Sequence, residues 1–190
     1  MSISFDYHCV MDTRVRGYIF QWALLGILGV AVIATLWHFL FFLTGEFAVI
    51  GAIVPVNNSV WEHFKVILYP MLLFSIIEYR YIGYHTNNYI IAKTVAIFVM
   101  LLLIGAVFYT YFYATGTQIA AADISIFVGA LVIGQLVGAW VMTFDPLPKY
   151  LNFIAIGILV ALAILLIVFT YNPLHVRIFF DTAAGLYGLP

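Results

Sequence analysis

The sequence predicts an all-α, polytopic membrane protein: a bundle of five transmembrane helices with one interfacial or re-entrant segment. Three observations predict it. Charged residues make up only 8% of the 190, while 66% are hydrophobic and 18% aromatic; soluble domains are roughly 45–50% apolar and about 25% charged. The mean hydropathy is +1.14. The apolar residues fall into five continuous runs rather than alternating ones, which argues for helices and against barrel strands.

Each run has the length that a bilayer requires, since a hydrocarbon core of about 30 Å takes roughly 20 apolar residues in helix. The first covers residues 17–43. It is too long for a signal peptide and lacks a small-x-small cleavage site followed by a soluble domain, so it reads as a retained span. Next comes Glu46 to Asn58, whose apolar part is too short to cross and contains Gly51 and Pro55. It reads as the interfacial or re-entrant element. The second span covers 59–79, with a kink expected at Pro70, which removes a backbone donor. The third covers 89–114 and the fourth 124–144. In the fourth, Gly134 and Gly138 form a GxxxG pair that lets backbones approach closely, either within one chain or between the copies of a homo-oligomer. Asp145-Pro146-Leu147-Pro148-Lys149 is an inter-helix turn. The fifth span covers 150–171. The remainder, 173–190, is apolar, aromatic and glycine-punctuated, which predicts an ordered cap folded against the helix ends. The whole chain, 1–190, reads as a single transmembrane domain.

Orientation follows from the cations. Threading with the N-terminus inside leaves Arg14, Arg16, Arg80, Lys93 and Lys149 on the cytoplasmic side and Lys65 and Arg177 outside. The positive-inside bias therefore predicts a multi-pass cell-membrane protein with a cytoplasmic N-terminus and an extracytoplasmic C-terminus. Nothing in the charge pattern suggests a nucleic-acid partner. The single cysteine, Cys9, allows no disulfide within the chain, and beside His8 it reads as a reduced thiol.

Under this threading most of the polar residues that matter gather on one side: His38, Asn57, Asn58, Glu62, His63, Lys65, Asp123, His175, Arg177 and Asp181. Ionisable groups in or near a bilayer are costly, so such a cluster is a site hypothesis. The densest stretch is Pro55 to Lys65. Ser59-x-x-Glu62 fits a helix capping box, Trp61 an interfacial anchor and Lys65 a snorkelling cation. That reading leaves His63 unexplained. His38 lies about 8 Å along its helix from the outer end, at the depth of His63. Histidines and carboxylates from separate segments are the makings of a zinc site, with His38, His63, His175 and Asp181 as candidate ligands and a divalent metal such as zinc as candidate cofactor. Glu62, His63 and Asp181 are the candidate catalytic residues, Glu62 as general base on a bound water. The alternative use of the same groups is an ion-paired network, with Glu62, Asp123 and Asp181 balancing Lys65 and Arg177. On the opposite side, Glu78 is too far from Glu62 to share a site and could pair with Arg80 or Lys93.

The segment Val56-Asn57-Asn58-Ser59-Val60-Trp61-Glu62-His63 and the tail Phe180-Asp181-Thr182-Ala183-Ala184-Gly185-Leu186-Tyr187-Gly188 resemble a family of small, uncharacterised bacterial polytopic membrane proteins. Trp37-His38-Phe39, Pro70 and Glu78-Tyr79 fit the same pattern. The resemblance covers most of the chain and carries no activity to transfer. The residues themselves suggest a metal-assisted, membrane-embedded hydrolase acting on a lipid-like substrate. The alternatives are a small oligomeric transporter or ion-conducting protein, and a structural accessory subunit of a membrane complex.

Overall fold

The computed structural model describes residues 13–189. The His8–Cys9 pair lies outside this range. Five helices are long and apolar enough to cross a membrane: α1 (Thr13–Leu43), α2 (Val60–Glu78), α3 (Tyr89–Thr115), α4 (Ala120–Val141) and α5 (Tyr150–Tyr171). They start and stop within a few residues of the expected spans, because hydropathy and turn chemistry agree at most of the ends.

The ends have identifiable causes. Beyond α1, Gly45 and Glu46 take left-handed backbone angles, and the Glu46 amide donates to the Phe41 carbonyl at 3.0 Å, closing the last turn. Ser59 caps α2, its hydroxyl accepting from the Glu62 amide at 3.3 Å. Pro70 lies inside α2, which continues to Glu78 and then widens into a π turn at Tyr79–Gly83. Gly116, left-handed at φ 71°, ends α3. The α2–α3 and α4–α5 connections are tied together: the Asn88 side chain donates to the Asp145 carbonyl at 3.0 Å and accepts from the Leu147 amide at 2.8 Å.

Small residues decide how closely the helices pack. A Cβ at Gly134 would lie 3.0 Å from the Ala96 carbonyl oxygen, and one at Gly138 would lie 3.1 Å from the Ala96 Cβ. The GxxxG face of α4 is thus occupied by α3 of the same chain. On α1 the buried positions Ile19, Ala23, Gly26, Val30 and Ala34 form one stripe at helical spacing. At Gly26 a Cβ would meet the Gln135 amide at 2.5 Å. The core of the bundle is built from Val30, Ile67, Leu68, Met71, Ala96, Ile97, Met100, Leu131 and Leu166. The outward faces are also apolar, with Leu28 68%, Leu102 70% and Phe153 76% exposed. Such a surface suits lipid and not water.

One end of the bundle is capped. There the loop from Glu46 to Asn58 makes a single 3-10 turn at Ile50–Ala52 and buries Val54 and Val56 against Phe41. The tail covers the same end. It makes a 3-10 turn at Arg177–Phe179 and then a two-residue hairpin, β1 (Phe180–Asp181) with β2 (Leu186–Tyr187), pairing Phe180 with Tyr187 and Asp181 with Leu186. Phe179 is buried against Trp61 and Phe169, with ring centroids 4.8 and 5.2 Å away. The tail is an ordered cap.

Candidate functional site

The polar residues at the capped end divide into a buried support and a more open pair of histidines. The support begins one turn into α2. Glu62 and Lys65, three residues apart and so on one helix face, form an ion pair at 2.8 Å. Lys65 is 0% exposed and Glu62 1%. The lysine ammonium, with three protons to give, is surrounded by the Gly51 carbonyl at 2.6 Å, the Val54 carbonyl at 3.2 Å, Glu62 Oε2 and the Thr170 hydroxyl. Glu62 Oε2 also accepts from the Val56 amide at 3.0 Å, while Oε1 accepts from Thr170 at 2.8 Å. Every polar atom of the pair is therefore satisfied by protein, as a buried charge requires. The result ties α2 to the 46–58 loop and to α5.

Two sequence expectations change here. The capping box is half formed: Ser59 caps, but Glu62 is drawn to Lys65 and Val56, and the Ser59 amide donates instead to Asn57 Oδ1 at 2.8 Å. Lys65 does not snorkel, because loop carbonyls reach it inside the bundle.

The tail joins this support through Asp181, which is buried. Its Oδ2 accepts from the Asn58 amide at 2.8 Å, and its Oδ1 from the Ala183 and Ala184 amides at 2.8 and 3.0 Å. Asn57 Nδ2 donates to the Gly188 carbonyl at 2.6 Å. A second strand of bonds reaches α4: Thr182 donates to Gln118 at 2.7 Å, Gln118 to Asp123 at 2.8 Å, and Tyr111 also donates to Asp123. Arg177 does not join the carboxylates. Its guanidinium lies 5.0 Å from the centre of the Phe112 ring and 5.9 Å from that of Tyr113, a cation–π arrangement.

His38 and His63 come together across α1 and α2, their ring centroids 5.3 Å apart. His63 Nδ1 lies 2.9 Å from the Ser59 carbonyl oxygen. A carbonyl can only accept, so Nδ1 carries the hydrogen and Nε2 is the free basic nitrogen. His38 lines a cavity of about 330 Å³ together with Glu46, Pro55, Asn57, Asn58 and Asp181. That volume lies at the lower end of the range for small-ligand pockets. His63 lines a smaller cavity of about 40 Å³ with Asn58, Gln118 and Asp123, large enough for water. Asn58 borders both.

His175 stands apart from this pair. It is exposed and packs edge-on against Tyr187 at 4.9 Å. Among the described residues, no group of three His, Cys, Asp or Glu side chains is arranged to hold a metal. Of the four candidate ligands, His38, His63 and Asp181 lie around Asn58, with the Asp181 oxygens engaged by backbone amides.

Sequence reasoning missed Thr170 and Gln118. A threonine in an apolar helix is unremarkable unless its depth is compared with that of Lys65. At the other end of the bundle, Glu78 is paired with Lys93, which donates to Gln135 Oε1 at 3.2 Å; Tyr89 donates to Glu78 at 3.0 Å. Lys93 is 4% exposed. It lies inside the bundle rather than at the membrane surface where its place in the sequence put it.

No curated protein and no solved structure gives a significant match to this chain. The description "Family of unknown function (DUF6512)" applies to the family whose pattern matches residues 11–189. The chain is a multi-pass membrane protein and belongs to that family.

Proposed function

We propose that the protein is a membrane-embedded hydrolase that acts on a lipid-like substrate by histidine acid–base chemistry at the capped end. The observation that carries this reading is the His38–His63 pair, ring centroids 5.3 Å apart, with His38 lining the cavity of about 330 Å³ and His63, oriented by a backbone carbonyl, lining the water-sized one of about 40 Å³. In the proposed step, His63 Nε2 takes a proton from water as the water oxygen bonds to an acyl or phosphoryl centre. The proton then passes to the departing alcohol oxygen. His38 faces the larger cavity and positions the substrate's polar group. Glu62, the base suggested by sequence, fits a supporting role better, because its oxygens are taken by Lys65, Val56 and Thr170. Asp181 likewise holds the wall of the cavity.

A catalytic zinc takes three protein ligands and a water; His38 and His63 would supply two of them, and among the described residues no third His, Cys, Asp or Glu is grouped with them. Elemental analysis of the purified protein reads that version directly. One zinc per chain, lost in His38→Gln, would make His38 and His63 its ligands, and the ion would supply the activated attacking water in place of general-base assistance from His63.

The proposed orientation keeps the capped end extracytoplasmic. With Lys65 and Lys93 buried in ion pairs, the exposed cations are Arg14, Arg16, Arg80 and Lys149 at one end and Arg177 at the other, which supports a cytoplasmic N-terminus.

The test is turnover of ester- and phosphate-linked amphiphiles by the protein in nanodiscs. Hydrolysis that His63→Gln and His38→Gln abolish at unchanged melting temperature is the expected result. Activity that survives both substitutions, or no hydrolysis across the panel, removes the reading.

A further inference from the structure

A second site lies at the opposite end of the bundle, remote from the histidines and independent of the proposed hydrolysis. A groove of about 520 Å³ runs between α2, α3 and α5. Leu72 and Ile76 of α2 form one wall, and Ile156, Val160 and Ala163 of α5 form the other. Ile76, Ile156 and Val160 are 63%, 44% and 52% exposed. On a bundle that spans a membrane, this groove faces the bilayer, so hydrocarbon is what reaches it.

The groove has one polar end. Tyr79, Arg80 and Tyr84 border it there, where the π turn widens α2. The Tyr79 ring lies 5.1 Å from those of both Tyr84 and Tyr89, and aromatic residues of this kind settle at the level of lipid headgroups. Two cations border the groove. The Lys93 ammonium is taken by Glu78. Arg80 is exposed, and among the described residues it makes no ion pair. From Arg80 to Leu72 the wall runs about 12 Å by helix rise, most of the half-thickness of about 15 Å that one leaflet contributes.

We propose that this groove is a binding site for an anionic phospholipid of the adjacent leaflet, with one acyl chain between α2 and α5 and the phosphate on Arg80. Charge complementarity selects the headgroup. A guanidinium presents a planar fork of donors that matches phosphate oxygens, and an anionic headgroup leaves net charge to attract it. A zwitterionic lipid fills the same walls but brings a compensating cation to the mouth.

Native mass spectrometry of the intact protein, released from nanodiscs containing equal phosphatidylglycerol and phosphatidylcholine, tests the assignment. The expected result is one retained phospholipid per chain, with phosphatidylglycerol enriched at least about tenfold, the size that one charge-assisted hydrogen bond supplies. Arg80→Gln should keep a bound lipid and lose the preference. Ala163→Trp should displace both lipids by filling the groove. Val160→Trp does the same from a position 52% exposed, and Ile164→Trp, on an outward position 54% exposed, should change nothing. No retained lipid in the native protein, no headgroup preference, a preference that survives Arg80→Gln, or full retention in both groove-filling variants would each overturn the proposal.

Discussion

The two ends of α2 solve the same problem in different ways. Glu62 and Lys65 pair within one helix and recruit loop carbonyls and Thr170. Glu78 pairs with Lys93 on a neighbouring helix and recruits side chains, Tyr89 and Gln135. Both carboxylates and both lysines are buried, where an unpaired charge costs several kcal/mol per ion. The first pair fastens irregular backbone to the bundle, and its partners are the groups that such backbone leaves without intrahelical bonds. The second fastens helices whose backbone is already satisfied, so its further partners come from side chains. An ion pair at a helix end can thus serve as an anchor for a loop, while one between helices sets their rotation and depth.

The largest expected effect comes from breaking one partner of a pair. Lys65→Met leaves Glu62 buried and uncompensated, and should destabilise the protein by about 3–5 kcal/mol in detergent unfolding. Adding Glu62→Leu should restore a large part of that loss. Limited proteolysis separates the two ends. Lys65→Met should open the 46–58 loop to cleavage, whereas Lys93→Met should lower the melting temperature without exposing it. Equal loop cleavage in the two variants would remove the distinction drawn between them.

A smaller effect is expected where α4 meets α3. Gly138→Val places a three-carbon isopropyl group, whose Cβ alone already meets Ala96 and Ala92, between the helices and should cost about 1–3 kcal/mol by overpacking. The same change at Gly157 on α5, where a Cβ meets nothing within 4 Å, should be nearly silent. Matching losses at both positions would mean that the α3–α4 approach is looser than described. Thr170→Val is expected to cost a similar amount, about 1.5–3 kcal/mol, since it keeps the shape but removes hydrogen bonds from the buried charges of Lys65 and Glu62.

The sequence made the spans legible because length and hydropathy alone decide them, and the ordered tail because its apolar residues had to be covered. It made the depth of His38 and His63 legible for the same reason. Rotation about each helix was not legible. These helices are apolar nearly all round, so no amphipathic face shows which way Lys93, Gln135 or Thr170 points. Lys93 was legible as one of two possible partners of Glu78, but at the interface; that the pair is buried inside the bundle was not. Depth also says nothing about azimuth in the tail: His175 follows α5 at a suitable level but turns onto Tyr187, and Arg177 settles over Phe112 instead of a carboxylate. The Glu62–Lys65 spacing was visible, but the loop carbonyls that keep Lys65 inside could not be read from residue types.

The capped end separates a sealed support, the Glu62–Lys65 pair, from a reachable histidine, His38. Covalent labelling of the protein in nanodiscs, read by peptide mass spectrometry, tests this separation most directly. Diethyl pyrocarbonate reports on His38, and carbodiimide with a small amine reports on Glu62, with exposed Glu46 as the internal reference. His38, through its cavity, and Glu46 should be modified, with Glu62 left unmodified until the protein unfolds. Labelling of Glu62 at the rate of Glu46 in the folded protein, or complete protection of His38, would contradict it.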